Sequence, residues 1–126
     1  METGCRAREI LRCGVMNRIT CEELKEKLDQ REEFKLINCL DEWMFREKRI
    51  PGSIRYERHI LEVLNPKEEV IVYCSNPGCT ASILAYQQFV ERGFLNVWHY
   101  PGGIAEWEDA GYPMEGERVT QRRSDA

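Results

Sequence analysis

The amino-acid sequence predicts an α/β domain with a mostly parallel central sheet of four to five strands and helices on both faces. Three observations predict it. Val70, Ile71, Val72 and Tyr73 form an apolar, mostly β-branched run without alternation, the pattern of a strand buried on both faces of a parallel sheet. Strand-like runs alternate with helix-like ones along the chain, which is the order of such a fold. Glycines and prolines fall at the joints, at Pro51-Gly52, Pro77-Gly78, Gly93, Pro101-Gly102-Gly103, Gly111 and Pro113.

Each element has a local reason. Thr20 followed by Glu23 is a capping-box pattern, and Leu24 and Leu28 lie on one face of a helix running to about Gln30. Phe34 to Cys39 reads as a short strand, Glu42 to Glu47 as a brief helix before the Ile50-Pro51-Gly52 turn, and Glu57 to Leu64 as another short helix. After the strand ending at Tyr73, Thr80 is placed to cap a helix that uses Ile83, Leu84, Tyr86 and Phe89 and stops at Gly93. Asn96 to Tyr100 is a further strand, and Ile104 to Ala110 a last helix. Trp107 and Tyr112 read as core anchors.

A chain of 126 residues fits one domain with one core. The expected divisions are a flexible segment over 1–17, the folded domain over 18–115 and a flexible tail over 116–126, since both ends lack periodicity. No apolar run approaches the roughly 20 residues of a membrane span. A net charge of -4 with interspersed signs leaves no electrostatic footprint for nucleic acid or an anionic membrane. The N-terminal stretch, with Arg6, Arg8, Glu9 and Arg12, lacks the pattern of a secretory signal, so the expected location is the cytoplasm and most of the six cysteines are expected as free thiols. His59 and His99 stand at no zinc-finger interval from Cys74 and Cys79, so no metal is expected.

Attention therefore falls on Cys74, at the carboxyl end of the buried strand, where sites in parallel sheets lie. A loop leaving such a strand and entering a helix turns backbone N–H groups toward its start, and their positive potential favours thiolate over thiol. The alternative is that Cys74 is a small buried hydrophobe ending a strand.

The stretch Val70 to Ser82 (VIVYCSNPGCTAS) resembles the active-site loop of rhodanese-like domains. Lys35 to Ile54, most clearly Ile50-Pro51-Gly52-Ser53-Ile54, resembles the earlier signature of that family, and Pro101 to Pro113 (PGGIAEWEDAGYP) its C-terminal one. The resemblance implies a single rhodanese-like domain and a sulfurtransferase in which Cys74 takes a sulfane sulfur from a donor and carries it as a persulfide to a thiol or other nucleophilic acceptor. It implies that Ser75, Asn76, Pro77, Gly78, Cys79 and Thr80 bind substrate and that no cofactor is needed. The implied partners are a small-molecule sulfur donor and a thiol acceptor, or a sulfur-carrier protein, and the expected state is a monomer or weak homodimer.

Family members often carry arginine where this chain has Cys79, an acid where it has Asn38, arginine where it has Leu40 and histidine where it has Arg49. An uncharged loop attracts a doubly charged donor weakly. A low-molecular-weight or protein persulfide is therefore favoured over thiosulfate. Cys79 is a candidate resolving thiol toward Cys74. Two other readings remain open: a noncatalytic rhodanese-like binding or regulatory module, and a thiol-disulfide or arsenate-reducing enzyme using Cys74 and Cys79.

Overall fold

The structure is a computed structural model and describes residues 16–76, 78 and 80–117. What was expected of residues 1–15, Pro77, Cys79 and 118–126 lies outside the described residues. The elements run α1 (Cys21–Asp29), β1 (Lys35–Asn38), α2 (Glu42–Glu47), β2 (Ile54–Arg55), α3 (Ile60–Val63), β3 (Glu69–Tyr73), α4 (Ala81–Glu91), β4 (Asn96–Tyr100) and α5 (Gly103–Asp109). Among the described residues four strands form one sheet in the order β2-β1-β3-β4, every pair parallel.

The register explains the two cores. Lys35 to Asn38 stand beside Val70 to Tyr73, and Glu69 to Tyr73 beside Asn96 to Tyr100. Side chains alternate between faces. Leu36, Ile71, Tyr73 and Tyr100 thus pack with Leu24 of α1 and Ile104 and Trp107 of α5. Ile37, Val70, Val72 and Val97 pack with Ile60 and Leu61 of α3 and with Ala85, Tyr86 and Phe89 of α4. Helices lie on both faces, as expected, and β3 has no exposed side chain from Val70 onward.

The local signals act as their chemistry dictates. Glu23 N–H donates to Thr20 Oγ1 at 3.1 Å while Thr20 N–H donates to Glu23 Oε1 at 2.9 Å, so two orphan donors at the start of α1 are satisfied. Gly93 closes α4 at φ +92°, with Phe94 N–H donating to the Phe89 carbonyl. The expected cap by Thr80 is corrected. Thr80 is at the N-cap position but lies near the helical region (φ -101°, ψ -7°) and makes no side-chain capping bond; the extended backbone that aims a cap oxygen at the first-turn amides is missing.

The chain ends of the domain are tied to the sheet and to the segment that follows α2. Ile19 N–H donates to the His99 carbonyl at 3.0 Å and His99 N–H to the Asn17 carbonyl at 2.9 Å, so pairing begins at Asn17, one residue before the expected boundary. At the other end Arg49 and Glu115 exchange backbone hydrogen bonds of 2.9 and 2.8 Å. No helix among the described residues is long and apolar enough to cross a membrane.

Beneath the carboxyl ends of β1 and β3 a buried polar network centres on the Tyr73 hydroxyl. It accepts from Asn38 Nδ2 at 2.7 Å and from Ile50 N–H at 3.1 Å. It also lies 2.6 Å from Ser53 Oγ, which in turn donates to the Ile50 carbonyl at 2.6 Å. The proton assignment follows: Tyr73 O–H must donate to Ser53, because the Ser53 proton is already used. Burial pushes the Tyr73 phenol up to about 12, so it stays protonated and can play that part. Asn38 Oδ1 accepts from Leu40 N–H at 2.8 Å and thereby shapes the exit of β1. Tyr73→Phe strands two buried donors and is expected to lower stability by about 2–4 kcal/mol in urea unfolding with an unchanged m-value. A loss below about 1 kcal/mol would show that this network is replaceable.

Candidate active site

Cys74 follows the last residue of β3 and is 3% exposed. Its sulfur lies 3.9 Å from the carbonyl oxygen of Cys39, the residue that follows β1. Cys74 stands in a disulfide, which departs from the expected free thiol at this position, and the partner lies outside the described residues. Cys21 and Cys39 are free. Burial raises the pKa of both, that of Cys39 to about 12, so neither offers a thiolate near neutral pH.

The loop beyond Cys74 faces outward. Ser75 is half-buried, and Asn76, Gly78 and Thr80 are exposed. The Asn76 side chain folds back so that its Oδ1 accepts from Gly78 N–H at 2.9 Å, a local turn that holds the loop before α4 begins. One of the amides expected to face a bound anion is therefore engaged by a side chain. Pro77 and Cys79, the other two loop positions expected to bind substrate, lie outside the described residues.

From the opposite side α5 presses on the loop. Gly103 has φ +67°, and a Cβ there would meet the Cys74 carbonyl oxygen at 2.5 Å, the Ser75 carbonyl carbon at 2.7 Å and the Asn76 nitrogen at 2.9 Å. Only glycine allows both the left-handed backbone and this approach. The first amides of α5 then find acceptors in the loop: Ile104 N–H donates to the Cys74 carbonyl at 3.1 Å, and Ala105 N–H to the Ser75 carbonyl at 2.8 Å. The Pro101-Gly102-Gly103 turn thus borders Cys74 directly.

Behind the loop, Ser82 in the first turn of α4 lies 2.8 Å from His99 Nε2, both residues buried. Sequence reading missed this pair, because the two residues sit on different elements with no local pattern to join them. His99 Nδ1 is buried without a hydrogen-bond partner among the described residues. Burial, and the nearby Arg18 cation, depress the pKa of His99, so the ring is neutral in the folded protein.

Three of the four departures noted in the sequence, those at described residues, have structural roles. Leu40 is a core residue, 8% exposed. Arg49 stacks on Phe45 and pairs with Glu115 at 3.3 Å. Asn38 belongs to the Tyr73 network. Among the described residues no group of acidic, histidine and cysteine side chains could hold a metal ion.

A match to the family model described as "Rhodanese-like domain" extends over residues 20–110, most of the chain, with Cys74 and its loop included. The chain belongs to the rhodanese-like domain family. A curated relative named "Sulfurtransferase" from Allochromatium vinosum is 24% identical over 104 residues, covering 79% of this chain and 95% of its own. Among solved structures, the BH2092 protein from Bacillus halodurans is similar with a TM-score of 0.76 at 21% identity, over 90% of this chain and 86% of that one. A rhodanese-related protein from Thermoplasma volcanium gives 0.67 at 22% identity, over 80% and 99%. The likeness to these structures is one of fold.

In this rhodanese-like domain, the depressed His99 pKa fixes the sign of one pH effect. Above the ordinary histidine value of 6.5 both folded and unfolded chains are neutral at this position. Below it the unfolded chain takes up a proton that the folded chain refuses, so stability falls as pH falls until the folded pKa is reached. His99→Gln removes that titration. Urea midpoints measured as a function of pH are expected to decline below about pH 6.5 in wild type and to decline less in the variant. Parallel profiles would mean that the ring is not held neutral.

Proposed function

We propose that this rhodanese-like domain is a sulfurtransferase that carries a sulfane sulfur as a persulfide on Cys74. The observation that carries the reading is the placement of Cys74: a cysteine at the carboxyl end of the doubly buried β3, followed by a polar, uncharged loop that leads into α4. Membership of the family and the similarity to a named sulfurtransferase support it.

In the reduced protein the Cys74 thiolate attacks the outer sulfur of a persulfide donor. The donor's S–S bond breaks, the donor leaves as a thiolate, and Cys74 holds the extra sulfur. An acceptor thiolate then attacks that outer sulfur, forms a new persulfide and returns Cys74 as thiolate. No electrons are gained or lost overall. Loop residues 75–80 (SNPGCT) offer amides and hydroxyls but no cation, which favours a glutathione-like or protein persulfide over thiosulfate.

The disulfide at Cys74 favours a second reading, in which the site works by thiol-disulfide exchange with Cys79 as resolving thiol. One experiment separates the two. The reduced protein is treated with glutathione persulfide or with thiosulfate and weighed intact. Sulfur transfer predicts one added sulfur atom, absent in Cys74→Ser, with glutathione persulfide loading faster than thiosulfate. Exchange chemistry predicts loss of two hydrogens and no retained sulfur, with Cys79→Ser stabilising a mixed disulfide. A protein that gains nothing from either donor and keeps its thiols is a binding module, and the proposal is wrong.

A further inference from the structure

Burial disfavours a charged sulfur, as the raised pKa values of Cys21 and Cys39 show. The Cys39 carbonyl at 3.9 Å adds the negative end of a dipole. A reactive Cys74 therefore needs N–H groups to offset both, and Gly78 N–H is engaged by Asn76. At the start of the loop the amides of Ser75 and Asn76 have no hydrogen-bond acceptor among the described residues.

A trans peptide points its C=O and the following N–H in opposite directions, and the described residues contain no cis bond. The Cys74 carbonyl and the Ser75 N–H share one peptide plane, and the Ser75 carbonyl and the Asn76 N–H share the next. Helix α5 holds both carbonyls, through Ile104 N–H at 3.1 Å and Ala105 N–H at 2.8 Å. Both N–H groups must then face away from α5. Gly103 packs against the same two planes, so closely that a Cβ on it would meet the Cys74 carbonyl oxygen, the Ser75 carbonyl carbon and the Asn76 nitrogen.

We propose that α5 is the positioning element of the site: by holding the Cys74 and Ser75 carbonyls, Gly103, Ile104 and Ala105 aim the Ser75 and Asn76 amides at the sulfur anion. The proposal rests on the reading of Cys74 as the sulfur carrier and adds what makes its thiolate accessible near neutral pH. Gly103, Ile104 and Ala105 act through the loop and touch no substrate.

The test uses the whole reduced chain. Alkylation of Cys74 by iodoacetamide, followed by mass spectrometry of its peptide, gives the titration midpoint of that thiol in wild type, Gly103→Ala and Ala105→Pro. Gly103→Ala pushes the two planes, whereas Ala105→Pro removes one of the holding N–H groups. Ala105 is exposed and lies in the first helical turn, where proline is tolerated, so this variant decides the matter if Gly103→Ala does not fold. Neither substitution changes a charge. Both are expected to raise the midpoint by about one pH unit, leaving persulfide loading weak at neutral pH and restored at alkaline pH.

A purely structural role would lower thermal stability without moving the midpoint. Folded variants with the wild-type midpoint overturn the proposal. If the wild type accepts no sulfur yet the variants still shift the midpoint, the sulfurtransferase reading fails and the positioning role of α5 stands.

Discussion

The constraint on which the rest of this molecule depends is the complete burial of β3. A strand whose side chains from Val70 to Tyr73 are all excluded from water must be covered on both faces. Its parallel neighbours β1 and β4 supply the ladder, α1 and α5 cover one face, and α3 and α4 cover the other. With both faces and both edges taken, its carboxyl end is where the chain meets polar surroundings. Cys74 is the first residue past that end, so its position is a consequence of the packing.

The same burial explains why the polar residues near the end of β3 are neutral. Asn38 is fully buried beside Tyr73, and a carboxylate in its place would need a cation to offset its desolvation. Leu40 and Arg49 bring none: one is in the core and the other is engaged with Glu115 and Phe45. An amide paired with a phenol satisfies the site without charge. The substitutions that distinguish this sequence from many relatives therefore agree with one another, and together they leave the base of the site uncharged.

Much of this was legible in the sequence wherever the signal was local. The capping box of Thr20 and Glu23, the helix over Glu42–Glu47 and the stop at Gly93 rest on contacts within a few residues, and the strand over Asn96–Tyr100 on an apolar run long enough to read. The two-residue β2 was invisible, because Ile54 and Arg55 are too few to show a period and pair only by lying beside Ile37 and Asn38. Thr80 has the composition of a cap without its backbone angles, which the loop sets. Cys74 was found because a strand pattern and a turn pattern meet there. Its supports were not: Ser82 and His99 are 17 residues apart, and the bonds from Ile104 and Ala105 to the loop span about 30. The Gly102-Gly103 pair advertised a tight turn, but only the packed structure shows what that turn is tight against.

The balance at Cys74 is then a contest between opposing dipoles. The Cys39 carbonyl and the surrounding apolar side chains favour the neutral thiol or a disulfide, the state in which Cys74 stands in this structure. On the proposed reading, amides fixed by α5 favour the anion. On that reading such a site favours a low-charge sulfur species over a dianion, because the loop offers dipoles and no cation. The same uncharged surroundings that made Asn38 and Leu40 suitable beneath β3 thus restrict what the loop above it can bind.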